Sequence, residues 1–405
     1  MNRLETIIGE EAIASLQQPV ESALGLPGSA YWAPGFYQLE QDRLFKRSWL
    51  AVAMGSEIPE PGDVLVREVA GWPLLFVRDR GGTLRCFHNI CRHRGAAVAP
   101  SSASNCAVLR CPWHGWVYEL DGRLKGTPEF AGPGDHFPQG FNRNDFGLIP
   151  VRTAQWFDFL FVNLDGKAPA LKASLSPLIR RFCAFEFSRF RHAGSWDIFY
   201  EGNWKVTVEG ALENYHLPRL HAQVNQGRRP EVNRTEWSPR CFYCLVSEWD
   251  QHVSGRRRVC DPRVAELPVL PALDGMSEAD ARSNFFLNIF PTGVMGFTTD
   301  HLYAGVWLPE GPARTRLRFH YYFVDDAPSE PSLEASREHV IASMQEVFTQ
   351  DAPVVAAVQA RAARRDALAP RVPHDPAQIQ RDLAWLKMLD LLSLYICMTP
   401  PGASR

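Results

Sequence analysis

Two short cysteine–histidine pairs constrain this chain more than any other feature: Cys91-Arg92-His93 and, after seventeen residues, Cys111-Pro112-Trp113-His114. Together they offer two thiolates and two imidazoles. One iron keeping two cysteines while a second takes two histidines is the ligand set of a mixed-ligand [2Fe–2S] centre. Neutral imidazoles in place of two thiolates remove negative charge and raise the reduction potential, so the site reads as a one-electron relay. Zinc is the competing metal, but its two-cysteine, two-histidine sites usually pair like with like, as Cys-x2-4-Cys and His-x3-5-His. Here each pair mixes one of each, which suits two loop tips closing on a cluster from opposite sides. Gly95 and Gly115 follow the ligands, Pro112 stiffens the second loop, and Trp113 and Trp116 are placed to wall the cluster from water.

The rest of the composition suits a soluble enzyme. A chain of 405 residues has room for two domains, each with its own core. A formal net charge of −2 gives no electrostatic reason to expect nucleic acid or an anionic membrane as partner. The start, MNRLETIIGEEAIASL, carries acids and lacks the apolar stretch of a signal peptide. No apolar run approaches the ~18 residues that span a bilayer. Of nine cysteines, seven fall outside the two pairs: Cys86, Cys106, Cys183, Cys241, Cys244, Cys260 and Cys397. Scattered and odd in number, they suit reduced, buried thiols in a cytosolic protein. Cys241-x2-Cys244 lies in the strand-like RCFYCLVSEW, where a core role outweighs a redox or metal site.

Periodicity divides the chain. Residues 1–45 read as an N-terminal helical segment. From 46 to 165, apolar runs such as VLVREV, PLLFVRD and FLFVNL are broken by turn signals at Pro61-Gly62-Asp63, Asp79-Arg80-Gly81-Gly82 and Asp121-Gly122-Arg123. That is the pattern of a small antiparallel all-β domain with its cluster on loops. From 166 to 405, helical stretches at 171–190, 204–217, 333–364 and 376–397 flank the sheet-like FFLNIF, GVMGFTT, LYAGVWLP and RLRFHYYFV. The fold class is therefore α+β. Residues 222–282 are rich in Arg, Pro and Glu with weak periodicity and read as an insertion or lid.

The second constellation is Glu213-Asn-Tyr-His216-Leu-Pro-Arg-Leu-His221. Two histidines five apart do not share a face of a regular helix. Pro218 between them is expected to break the helix and let the imidazoles converge. Mononuclear non-haem iron that activates O2 typically takes two histidines and one carboxylate, with coordination positions left open. Asp351, in VFTQDAPVVAAVQAR, is the chosen carboxylate, with Asp326 and Asp366 as rivals. Lys205 and Glu209, at i and i+4, read as an ion pair on a helix surface.

At both constellations the chain resembles the Rieske non-haem iron oxygenases, in particular their alpha (large, catalytic) subunit. Cys91-Arg92-His93-Arg94-Gly95 follows the family's C-x-H-R-G form. Asn203-Trp204-Lys205, then Glu209, Glu213, Tyr215-His216 and His221, is similar to its N-W-K signature; the Asp351 segment resembles its acid-bearing helix. One departure is Gly210, where the family has Asn, which points to a wider pocket. The resemblance implies a Rieske [2Fe–2S] cluster on Cys91, His93, Cys111 and His114. It implies mononuclear Fe(II) on His216, His221 and Asp351, in a helix-grip-like catalytic domain. It also implies a bridging acid at Glu213, a position usually held by Asp and held by Glu in relatives that oxidise quaternary ammonium compounds. By the same analogy His114 of one subunit meets Glu213 and His216 of the next, which requires a head-to-tail homotrimer.

The expected function is that of a terminal mono- or dioxygenase using O2 and electrons from a separate NAD(P)H-dependent reductase, with or without a ferredoxin. No Gly-x-Gly-x-x-Gly follows a strand that would bind the nicotinamide in this chain. Arg92, Arg94 and Arg110 either dock an acidic partner or bond within the domain. The pocket is expected from 206–222, 285–310 and the insertion, with apolar walls and Asn288, Thr298 and His301 as polar contacts. Such walls suit hydroxylation of an aromatic or related cyclic substrate, hence aromatic hydrocarbon catabolism. The alternative is oxidation or demethylation of a quaternary ammonium or N/O-methyl substrate, caged by the same rings. Two readings from other classes are a Rieske electron carrier without oxygen chemistry and an inactive structural subunit.

Overall fold

The computed structural model describes residues 3–16, 18, 25–224, 234–238, 240–248 and 267–368. The expected helix at 376–397, Cys260, Cys397, the side chain of Asp366 and residues 225–233, 239 and 249–266 of the expected insertion lie outside them. The chain forms two compact units: Arg47–Ala168, and Met1–Lys46 joined with Pro169–Arg405. The N-terminal helical segment therefore belongs to the unit that carries the second constellation.

Unit Arg47–Ala168 is all-β among the described residues apart from single 3₁₀ turns. Its strands are β1 (Leu50–Met54), β2 (Val64–Val69), β3 (Trp72–Arg78), β4 (Leu84–His88), β5 (Leu109–Arg110), β6 (Val117–Tyr118), β7 (Leu124–Gly126), β8 (Arg152–Trp156) and β9 (Phe159–Asn163). They pair antiparallel as β1-β9-β8, β2-β3-β4 and β5-β6-β7. Ala70 and Gly71, both at positive φ (50° and 81°), turn β2 into β3, the two-residue geometry that matches strand twist. Asp79 shapes the next turn by accepting from the N–H groups of Gly81 (3.0 Å) and Thr83 (2.9 Å) and from Arg85 Nε (2.7 Å). Burial acts to raise its carboxyl, but those bonds hold it below the usual carboxylate range. Leu75, Val77, Phe87, Leu109, Trp116 and Tyr118 make the core, and the thiols of Cys91 and Cys111 are part of it.

The other unit begins with α1 (Arg3–Ile8), α2 (Glu10–Leu16), α3 (Ser29–Trp32) and α4 (Pro34–Leu39), which runs on into a π-type turn, Glu40–Phe45. The single helix expected at 171–190 is instead two short ones, α5 (Leu171–Ser174) and α6 (Ser176–Arg181). Pro177 starts α6 and cannot continue α5. Phe182 and Phe185 beyond it are buried against Phe285 and Phe297, so packing rather than propensity sets the chain's path. Next come β10 (Phe190–Tyr200), α7 (Trp204–Ala211), α8 (Leu217–Leu220), β11 (Arg234–Ser238), β12 (Phe242–Glu248) and α9 (Glu278–Ala281). β13 (Ser283–Ile289), β14 (Gly293–Phe297), β15 (His301–Pro309), β16 (Thr315–Val324) and α10 (Glu334–Leu368) complete the described fold.

The strands form one antiparallel sheet in the order β10-β16-β15-β14-β13-β12-β11. β11 and β12 fall within the stretch read as an insertion, yet they extend this sheet in register, Tyr243 opposite Asn288 and Trp237 opposite Tyr243. Every residue of β15 is buried, as expected of a central strand covered on both faces. The helix-flanked antiparallel sheet expected for this part of the chain is the one found.

Candidate metal centres

The two cysteine–histidine tips are built alike. In the first, Cys91 donates its N–H to Ala96 (2.7 Å) and accepts from the Gly95 N–H (2.9 Å). In the second, Cys111 donates to Trp116 (2.9 Å) and accepts from Gly115 (3.1 Å), at the same sequence offsets. Gly95 and Gly115 sit at φ 79° and 68°, left-handed conformations that favour glycine. Both cysteines are buried while the His93 and His114 rings stand 4.5 Å apart, nearer the surface. Burial pushes the Cys91 thiol up, as does Cys111 beside it, and burial lowers His93, disfavouring its charged form. His93 Nδ1 is enclosed and has no hydrogen-bond partner. An orphaned ring nitrogen next to two buried thiols fits a metal ligand, not a satisfied core histidine.

Trp116 is buried and stacks on His93 at 4.9 Å, so it walls the tip as expected. Trp113 does not: it is 58% exposed beside His114. Arg92 and Arg110 bond the carbonyls of Gly147 and Gly115 within the unit, which leaves Arg94 exposed. Tyr118 Oη lies 3.3 Å from Cys91 Sγ and accepts the Arg92 N–H at 3.1 Å, which leaves its own proton available to the sulfur.

In the second unit, Asn203 caps α7 by accepting from the Lys205 N–H at 3.0 Å. The helix expected to reach residue 217 stops at Ala211, and a turn through Glu213 and Asn214 leads to His216. Pro218 therefore does not break a helix. It stands in the first turn of α8, where its missing N–H goes unneeded. His216 and His221 flank that single turn, which brings their rings to 5.0 Å at 81°. Asp351 arrives on α10, and the donor atoms of His216, His221 and Asp351 all lie within 4.8 Å of one another. Asp326 sits in the turn after β16, outside this group. Two imidazoles and a carboxylate converging at this spacing fit a divalent iron.

Each histidine is held from behind. Glu213 Oε1 faces His216 Nδ1, and its Oε2 accepts the N–H groups of Tyr215 and His216. His221 is fully buried, with Nδ1 2.7 Å from Gln350 Oε1 and Nε2 2.9 Å from Asp351 Oδ1. Burial acts to lower His221, but the Asp351 and Gln350 bonds outweigh it and raise the imidazole above its ordinary value. Gln350 was invisible in the sequence; its only signal is its place next to Asp351. Such partners fix tautomer and ring orientation at metal sites.

Lys205 and Glu209 do not pair on a helix surface. Lys205 is buried, with Nζ 2.7 Å from Glu40 Oε1 and above the rings of Tyr31, Phe36 and Trp204. Glu209 accepts from Tyr31 Oη at 2.8 Å. Gln359 of α10 accepts the Asn203 N–H (2.9 Å) and donates to the Tyr31 carbonyl (3.1 Å). The N-terminal helices, α7 and α10 are thus tied together around the triad.

A cavity of about 100 Å³ opens on the triad from the strand side, between Phe286, Tyr303, Met344 and Phe348. Besides Glu213 and the triad, its polar lining includes Asn214, Ser247 and Asn284, not the expected Asn288, Thr298 and His301. Asn288 is buried two residues beyond Phe286, and Thr298, Asp300 and His301 bond one another at the β14–β15 turn.

The Rieske [2Fe-2S] domain family matches residues 48–138, and the ring hydroxylating alpha subunit (catalytic domain) family matches 187–380. The glycine betaine monooxygenase oxygenase subunit of Chromohalobacter salexigens is 34% identical over 214 residues, 53% of this chain and 47% of that protein. The chain spans about half the length of the curated relatives it matches. A solved quaternary ammonium Rieske monooxygenase superposes with a TM-score of 0.75 at 19% identity, over 93% of this chain and 96% of that one. Naphthalene 1,2-dioxygenase from Rhodococcus sp. does so with 0.78 at 19% identity, over 99% and 100%. At such identity the two structures speak for the fold alone. The families speak for more: this chain carries a Rieske [2Fe–2S] domain followed by the catalytic domain of a ring-hydroxylating alpha subunit.

Proposed function

We propose that the chain is a terminal oxygenase acting on a quaternary ammonium or N-methylated substrate. The observation that carries this is the setting of the triad: Phe286, Tyr303 and Phe348 line the same cavity as Glu213 and Asp351. Aromatic faces with nearby carboxylates attract an alkylammonium cation. Its relatives among the oxygenase subunits of glycine betaine and carnitine monooxygenases favour the same class. A planar ring is the second reading, favoured by the apolar Leu245, Met344 and Val347 in that wall.

In this reading Cys91, His93, Cys111 and His114 hold the cluster, and His216, His221 and Asp351 hold the iron. Iron bound there would supply dioxygen activation, with electrons relayed singly from the cluster, one oxygen atom entering a substrate C–H bond and the other leaving as water. The protein's own part is positional. Glu213 keeps the His216 proton on Nδ1 and Gln350 keeps the His221 proton on Nδ1, so both Nε2 atoms face the metal. Phe286, Tyr303 and Phe348 seat the cation beside them and keep water from its charge.

Electrons come from a separate NAD(P)H-dependent reductase, directly or through a ferredoxin. Each metal tip carries an exposed aromatic next to a ligand histidine, Trp113 at 58% and Tyr215 at 75%. Surfaces of that kind suit docking of one copy's cluster onto the next copy's iron, with Glu213 as the bridge, in a cytoplasmic homotrimer. The test is turnover of purified protein with a surrogate reductase and O2 on alkyltrimethylammonium ions and on bicyclic aromatics, scored by mass spectrometry. Added oxygen or lost methyl on the ammonium ions supports the reading; oxygen added only to the aromatics overturns it.

A further inference from the structure

A second cavity, of about 260 Å³, also reaches the triad. It lies between α7 and α10, where Val206, Leu220, Trp307, Val354, Val355 and Val358 give it an apolar wall. Val354 and Val358 are each 46% exposed, so the wall continues toward the surface. The two cavities share Gly210, Ala211, Glu213, His216, Phe348 and Asp351 and therefore meet at the metal-binding group.

Gly210 stands at that meeting point, and ordinary reasons for a glycine fail there. Its φ is not in the left-handed region, so the backbone does not require it. A Cβ built on it meets nothing within 4 Å, so packing does not require it either. It lies in the last turn of α7, where glycine destabilises a helix relative to alanine. What the missing side chain provides is open space between the cavities, and its neighbour Ala211 adds little to close it.

We infer that Gly210 keeps the two cavities continuous and makes this a site for an elongated substrate. The reacting head group sits in the strand-side cavity beside the triad, and an alkyl or aryl tail runs past Gly210 into the cavity between α7 and α10. The head-group class rests on the function proposed above; the tail rests on the cavities alone.

The test is binding by calorimetry, on metal-free and iron-loaded anaerobic protein, of alkyltrimethylammonium ions of increasing chain length and of a parallel n-alkylbenzene series. In the unaltered protein affinity should rise about fourfold per added methylene until the second cavity is filled. Gly210→Leu should stop that gain at a shorter chain while leaving the shortest members bound within about threefold. Val354→Phe, at an exposed position of the far wall, should truncate the gain only for the longest members, and serves if Gly210→Leu does not fold. An unchanged length dependence in both variants overturns the inference, as does affinity that does not grow with length in either series. A Gly210-dependent cut-off among the alkylbenzenes with no binding of the ammonium ions refutes the head-group class and upholds the elongated site.

Discussion

Lys205→Met tests whether the N-terminal helices hold the catalytic unit together. Lys205 and Glu40 are 4% and 0% exposed, their charged atoms are 2.7 Å apart, and three rings surround the ammonium at 5.0–5.5 Å. Removing one partner of a buried pair typically costs about 3–5 kcal/mol, because the remaining charge is left in the interior. Burial already raises the Glu40 carboxyl. Without the lysine that carboxyl would carry a proton well above the usual carboxylate range. A raised folded-state value means that stability is lost as pH rises, so the variant's deficit should shrink toward acid pH. Replacing both residues, Glu40→Met with Lys205→Met, should recover most of the loss, since apolar substitutes for a buried pair are often neutral. Urea unfolding of the four proteins in a double-mutant cycle measures the coupling. A Lys205→Met deficit below about 1 kcal/mol, or a double variant no better than the single, would refute this account.

Further outcomes follow from the metal tips. Glu213→Ala is expected to leave both metals bound and to stop substrate oxidation; retained turnover would refute the bridge. Tyr118→Phe removes a hydrogen bond to Cys91 Sγ worth about 1 kcal/mol, so protein-film voltammetry should find the cluster potential lower by about 40 mV. An unchanged potential would place that hydroxyl elsewhere. Iron retention should weaken as pH falls, because metal must displace a proton from His221, whose affinity for it is raised by Asp351 and Gln350. Equilibrium dialysis against a weak chelator at several pH values should find that loss beginning above the ordinary histidine range; iron held equally tightly at acid pH counts against it.

What the sequence disclosed was what is local in it. Cys91 with His93 and Cys111 with His114 lie on single turns, with glycines at the offsets those turns need. His216 and His221 were likewise close enough to link, although the turn that joins them is α8 and not a helix broken at Pro218. Asp351 could be proposed only among rivals, since it lies 130 residues from His221. Gln350 and Glu40 act through tertiary contacts that no local pattern signals. Lys205 and Glu209 show the opposite failure: the i,i+4 rule applies to exposed helix faces, and the N-terminal helices bury this one against Glu40 and Tyr31. Asn288 misses the pocket because strand alternation puts it on the same face as Asn284 and Phe286 but further along β13.

Iron counting combined with low-temperature EPR tests the two-centre account most directly. The unaltered protein should hold about three iron atoms per chain and, when reduced, give the signal of an imidazole-ligated [2Fe–2S] cluster. His221→Ala should fall to about two with that signal intact. Two iron atoms per chain in both proteins, or no such signal, would contradict the account.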